Sequence, residues 1–341
     1  MKKTNKINII VSTVLLALFL YLAFRNVNLK ELINILENTN YLYVFAGMFT
    51  GSVLGSVIRA KRWGVMLEPV KKGVPFKSLF ATTVIGYMMN NLIPRSGEFA
   101  RPYLLGSHEG LSRSAAFATI IVERILDTVM FLFWFAAALI YFRNRITDAI
   151  PEIGSAVIVL SAAIFLIIFA VLFMMLKPDL SLRILKFFTR FLPKRFHEKV
   201  DHIFASLLTG FDVLKKPSLF LKIAVYSSLL WIAYLISTFL PFYSFGILVN
   251  QGSSLWHMLW DANLLLVLIS VAMFVPVPAA TGPYHYICKV TLVNIFAVSE
   301  TSALGYATAT HAMGFLMYLA MGLYFFITSQ YRFSELKQET A

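Results

Sequence analysis

The chain has 341 residues, 59% apolar and only 14% charged, whereas a soluble domain carries roughly 25% charged residues. Thirty Lys and Arg face 17 Asp and Glu for a formal charge of +13. The bases fall between apolar blocks, which excludes a nucleic-acid reader and points to positive-inside topology and anionic headgroups. Cys288 is the single cysteine, which rules out an intrachain disulfide or a thiolate metal cluster.

The apolar blocks lie at 7–24, 41–58, 79–93, 115–142, 153–176, 221–249, 255–275, 284–297 and 303–328. Most have the length of about 20 residues that spans a bilayer. Met1-Lys2-Lys3 ahead of the first block resembles a signal peptide. No small-x-small site precedes Arg25, so a retained first span is expected. The blocks at 79–93 and 284–297 are short for a crossing. Each adjoins a helix break, Pro94-Arg95-Ser96-Gly97 in one case and Pro276-Val277-Pro278 through Gly282-Pro283 in the other. Proline removes a backbone donor, and such backbone survives at membrane depth only inside protein or against a wet cavity. Two proline-broken re-entrant hairpins are the natural reading.

Charge sets orientation. The segment 59–77 carries Arg59, Lys61, Arg62, Lys71, Lys72 and Lys77 against Glu68 alone. The linker at 177–218 is also basic, and both read as cytoplasmic. The links at 25–40 and 143–152 are charge-balanced and 250–254 is uncharged, so these read as external. Within the linker, Leu182, Leu185, Phe188 and Leu192 recur at helical spacing among Lys186, Arg190 and Lys194, as in an amphipathic helix on the inner leaflet over 180–195. The expected fold is all-α: a polytopic helical bundle of about six full spans plus two re-entrant hairpins, with both termini cytoplasmic. It forms a single transmembrane domain over 1–341, its halves at about 41–142 and 221–328. Each half reads span, broken hairpin, span with opposite direction, an inverted repeat of the kind transporters use.

The densest polar run is Asn90-Asn91-Leu92-Ile93-Pro94-Arg95-Ser96-Gly97-Glu98-Phe99-Ala100-Arg101. The planar donor fork of Arg95 or Arg101 suits phosphate. Freed amides at Ser96 and Gly97 suit an anion at a helix start, and Glu98 is placed to orient either arginine. Next come Glu123, Arg124 and Asp127, close together on successive turns inside a span, where charges face the interior and pair. Two acids with one base predict a net negative cluster, to be balanced by Arg95 or Arg101. In the second hairpin, Lys289 lies one turn beyond His285 and suits a second cation for a headgroup. His285 and His311, on the last span, suit proton relay or anion binding. Asp261 and Asn263 are weaker buried-polar candidates. No P-loop, dinucleotide turn or HExxH motif occurs, so no cofactor or metal is expected.

The pattern N-x-x-P-x-x-x-E-x-x-R stands here as Asn91, Pro94, Glu98 and Arg101. It is followed by E-R-x-x-D as Glu123, Arg124 and Asp127, then by P-x-P-x-x-x-G as Pro276, Pro278 and Gly282. Over about residues 5–330 the chain resembles the flippase-like, or lysylphosphatidylglycerol synthase transmembrane-region, family. The family usually reads P-x-P-G-G-x-G-x-x-E, where this chain has Ala279 and Ala280 at the glycine pair and His285 at the glutamate. The resemblance implies a multi-pass protein of the cell (inner) membrane that moves a polar lipid, phospho- or polyprenyl-phosphate-linked, between leaflets. Some members carry a soluble aminoacyl-transfer domain. Ala341 follows the last block closely, so no synthase activity is expected. Two other readings stand beside transport: an intramembrane enzyme with Glu98 or Glu123 as general base, and a non-catalytic scaffold for envelope assembly.

Overall fold

The structure, a computed structural model, describes residues 3–144, 154–177, 180, 183, 216–247 and 254–329. Among these every regular element is helical, as lipid demands of chains that must satisfy their own backbone groups. All but residues 180 and 183 of the expected amphipathic helix at 180–195, most of the linker at 177–218 and the links at 145–153 and 248–253 lie outside the described residues.

Helix α1 (Lys3–Phe24) turns through 84° into α2 (Leu29–Glu37). Asn28 caps α2, its Oδ1 accepting from the Lys30 and Glu31 amides. The link at 25–40 therefore carries a helix of its own, whose Leu32 packs with Ala23 and Leu304. Helix α3 (Tyr41–Phe49) runs through a π-helical turn (Thr50–Leu54) into α4 (Gly55–Leu67) without a break. Gly47, Gly51 and Gly55 recur at a spacing of four along this rod. A Cβ at Gly51 would lie 2.8 Å from Ser237 Cβ, and one at Gly47 3.0 Å from Pro241. Small residues at this spacing let helices approach closely in a membrane. Their partners are α9 (Pro217–Phe239) and the short α10 (Pro241–Ser244).

Helices α5 (Phe76–Leu92) and α6 (Ser96–Glu109) form a tight hairpin. At its tip Arg95 takes φ +62, Ser96 Oγ donates to the carbonyls of Met89 and Ile93, and Gly97 N donates to Asn90 Oδ1 at 2.7 Å. Gly86 and Gly97 pass back to back, and a Cβ on Gly97 would overlap the Gly86 carbonyl. At the open end Ser78 Oγ donates to Glu109 Oε1 at 2.5 Å. The two chain ends of the hairpin thus lie together, opposite the proline.

Helix α7 (Arg113–Tyr141) packs between α6 and α8 (Gly154–Leu176). A second hairpin follows α9 and α10, made of α11 (Leu255–Ala272) and α12 (Pro283–Phe296). Its break holds one 3-10 turn (Pro278–Ala280), with Ala279 at φ +50, Ala280 at φ +53 and Gly282 at φ +93. Gly282 sits against Leu16 and Phe19 of α1, and Ser12 Oγ donates to the Pro276 carbonyl at 2.6 Å. Helix α13 (Glu300–Thr328) packs on α5, α12, α2 and α3 and so joins both hairpins.

Among the described residues four helical stretches are long and apolar enough to cross a membrane: Tyr41–Leu67, Pro217–Ser244, Leu255–Ala272 and Glu300–Thr328. The bent α1–α2 pair makes a fifth if it counts as one span. Helix α7 is longer than most of these but carries Glu123, Arg124 and Asp127 along its length. The chain is an all-helical, multi-pass membrane protein.

Candidate functional site

The ion network begins on α4. The apolar block read from sequence ends at 58, yet the helix continues to Leu67. It carries Arg59 and Arg62 on one face, three residues apart, and Lys61 on the exposed side. Arg59 Nη1 donates to Glu123 Oε1 at 2.5 Å and to Asp127 Oδ2 at 2.8 Å. Arg62 Nη2 donates to Asp127 Oδ1 at 2.6 Å, and its Nη1 to Ser227 Oγ of α9 at 2.9 Å. Arg101, from α6, reaches Glu123 with both terminal nitrogens at 2.9 and 3.3 Å. Its guanidinium lies 4.5 Å from the centre of the Trp63 ring, a cation–π contact. Arg124 closes the set, donating to Glu123 Oε1 at 2.6 Å and pairing with Asp127 at 3.0 Å.

Four guanidinium groups thus surround two carboxylates, an excess of two positive charges among the described residues. Glu123 and Arg62 are wholly buried, while the Arg124 side chain is 40% exposed. The Nε atoms of all four arginines are buried and find no acceptor among the described residues. Charges at this depth are costly and persist where they pair. Here the pairing is incomplete on the acceptor side: four guanidinium groups share two carboxylates and keep unpaired donors.

Several expectations from sequence are corrected. The cluster is positive, not negative, because Arg59 and Arg62 join it; counted as loop charges, they were missed as site residues. Arg101 is held by Glu123 rather than Glu98, and Arg95 is exposed at the hairpin tip. The amides of Ser96, Gly97 and Glu98 are taken by Ile93 O, Asn90 Oδ1 and Arg95 O, so the start of α6 does not cradle an anion. Lys289 is buried, but its Nζ binds Glu300 Oε2 at 3.3 Å and the Arg25 carbonyl at 3.2 Å; it locks α12 to α13 and the first turn region instead of facing a headgroup. Asn263 Nδ2 donates to the Trp134 carbonyl at 3.4 Å.

A second region lies across Tyr234, whose hydroxyl accepts from Arg59 Nη2 at 3.0 Å. Tyr234 also lines a cavity of about 220 Å³ between α3, α9, α11 and α13. Asn91 from the first hairpin tip and Ala279 and Tyr284 from the second reach this cavity, as does His311. His311 Nε2 is 3.0 Å from the Ala279 carbonyl, and its ring centre is 4.8 Å from that of His285. Asn91 Nδ2 donates to the Phe315 carbonyl at 3.4 Å. The helix-break residues therefore bring both hairpin tips to one place, beside α13.

A model of the lysylphosphatidylglycerol synthase transmembrane region matches residues 9–322. The chain belongs to that family. Among relatives, a UPF0104 membrane protein of Methanothermobacter thermautotrophicus is 25% identical over 339 residues, 95% of each chain. One of Methanocaldococcus jannaschii is 36% identical over 143 residues, 40% of this chain and 42% of that relative. One of Pyrococcus horikoshii is 29% identical over 219 residues, 58% of this chain and 62% of the relative. No solved structure matches. The transmembrane-region family's habitual glycine pair in the second hairpin now has a structural reason. Ala279 and Ala280 occupy those positions with positive φ, a conformation that glycine takes at least cost.

Proposed function

We propose that this protein moves lipids with an anionic, phosphate-bearing headgroup between membrane leaflets. The observation that carries the reading is the buried junction of Arg59, Arg62, Arg101 and Arg124 around only Glu123 and Asp127. An arginine fork matches phosphate bidentately. Arg124, the accessible member, exchanges Glu123 and Asp127 for an arriving phosphate, while the acyl tails stay in lipid. The two carboxylates hold the arginines in place when no headgroup is bound. Asn91, Glu98 and His311 serve as further polar contacts along the headgroup path.

In this reading both hairpins are re-entrant, and the order span–hairpin–span, met twice along the chain, is an inverted repeat with its site where the halves meet. Lys61, Lys71, Lys72 and Lys77 still mark their side as cytoplasmic after Arg59 and Arg62 are removed from the tally. Both termini then face the cytoplasm, and the bilayer is the cell membrane.

The test is reconstitution into vesicles with fluorescent phosphatidylglycerol and a radiolabelled polyprenyl phosphate. Arg124→Gln is expected to slow leaflet transfer about tenfold, a loss of about 1.4 kcal/mol of transition-state stabilisation. The melting temperature should change little, because the pair is partly exposed. Equal transfer by wild type and variant overturns the proposal.

A further inference from the structure

The cavity beyond Tyr234 differs in chemistry from the arginine junction. Its wall contains no Asp, Glu, Lys or Arg. Hydroxyl groups line it, and most have already used their single hydrogen. Ser237 Oγ donates to the Tyr234 carbonyl at 2.8 Å and Thr238 Oγ1 to the same carbonyl at 3.1 Å. Thr310 Oγ1 donates to the Tyr306 carbonyl at 2.7 Å, so it accepts from Tyr284 at 3.0 Å. A hydroxyl whose hydrogen is spent still offers lone pairs. This wall is therefore rich in acceptors and poor in donors. A phosphate, which only accepts once ionised, finds few partners there. A ligand that brings its own O–H donors finds many.

Tyr234 is the exception. Its oxygen accepts from Arg59, which leaves its O–H free to donate into the cavity, strengthened by the neighbouring cation. Aromatic faces complete the site, with Tyr284 and Tyr318 on the lining. The volume of about 220 Å³ lies below the roughly 300–1,000 Å³ of pockets for drug-sized ligands. It equals about seven waters at roughly 30 Å³ each, the scale of one sugar or inositol ring. Met273 lines the cavity and is also 58% exposed, which places the mouth at the surface of the helical bundle.

We infer that this cavity binds an uncharged, hydroxyl-rich ring, so that the lipid taken by the protein carries a glycosyl or other polyol group. The inference rests on the lipid-transfer reading for its biological setting, but binding alone tests it. The full-length protein in detergent is titrated, by native mass spectrometry, with glucosyl-dioleoylglycerol, dioleoylglycerol and dioleoyl phosphatidic acid. The glucosyl lipid is expected to bind at least about tenfold tighter than dioleoylglycerol, about 1.4 kcal/mol. Gly314→Leu places a side chain in the cavity, where only Met48 stands close to the new Cβ at 3.6 Å. It should erase that gap and leave phosphatidic acid unaffected. Ser237→Ala, which removes one lone-pair donor and no inter-helix bond, should narrow the gap by about threefold and guards against a misfolded leucine variant. A gap below about twofold, one that survives Gly314→Leu, or phosphatidic acid displaced by that variant overturns the inference. Selective binding without leaflet transfer leaves the inference standing and removes the transfer reading instead.

Discussion

The arginine junction and the cavity meet at one phenol, yet they solve opposite problems. The junction, at the crossing of α4, α6, α7 and α9, gathers six full charges and leaves donors over. The cavity, under the tips of both hairpins, excludes charge from its lining and leaves acceptors over. A buried ion network is held by mutual pairing, and removing one of its wholly buried members strands the others. A wall of back-bonded hydroxyls is largely self-sufficient, since most of its hydrogens other than that of Tyr234 are satisfied within their own helix turn or by a neighbour. The first region is costly to perturb and the second is tolerant, which is the arrangement expected if one anchors and the other selects.

The contrast breaks most sharply at Glu123. It is wholly buried and accepts from Arg59, Arg101 and Arg124. Glu123→Ala is expected to destabilise the folded protein by about 3–5 kcal/mol, seen as a loss of several degrees or more in a detergent melt. Adding Arg101→Ala should restore part of that loss, because one stranded cation is then removed. If Glu123→Ala melts like wild type, the junction is not a structural anchor. A smaller effect is expected at the shared phenol. Tyr234→Phe removes one acceptor from Arg59, which keeps both carboxylates, at a cost of about 1.5 kcal/mol. The same change removes the donor facing the cavity, so glucosyl-lipid binding should weaken with it. A change in only one region would uncouple them.

The smallest effect has the opposite sign. Ala279→Gly relieves a positive-φ alanine at the edge of the cavity and should raise stability by about 1 kcal/mol. The melt should rise while binding by the junction is unchanged. A fall in stability would mean that the methyl group packs better than the strain costs.

Much of the helical framework could be read in advance. The apolar blocks, the breaks at Pro94 and Pro276–Pro278, and the grouping of Glu123, Arg124 and Asp127 follow from hydropathy, proline and helical spacing; charge balance left Arg95 and Arg101 as alternatives, and the structure pairs Arg101 with Glu123. Arg59 and Arg62 were hidden by the same rule that orients membrane proteins. Basic residues just past an apolar block are read as loop charges, whereas here the helix carries on and turns them inward. Their spacing of three, with exposed Lys61 between them, was the available signal. The spacing of Gly47, Gly51 and Gly55 was a second signal that went unread, since small residues four apart mark a close helix neighbour. The cavity had no local signature. Its wall draws on segments from Met48 to Tyr318, and each hydroxyl looks like an ordinary helix residue until the helices are packed.

One turn of the second span carries a consequence for all of this. The π-helical stretch at Thr50–Leu54 accommodates an extra residue within a continuous rod. A one-residue insertion rotates everything beyond it by about 100° relative to an unbroken helix. Ser52, inside that turn, addresses the cavity, while Arg59 and Arg62, beyond it, address the junction. A single helix thereby serves two unlike chambers. Any motion that migrated the wide turn along the rod would swing the guanidinium groups around the axis without moving the rod itself.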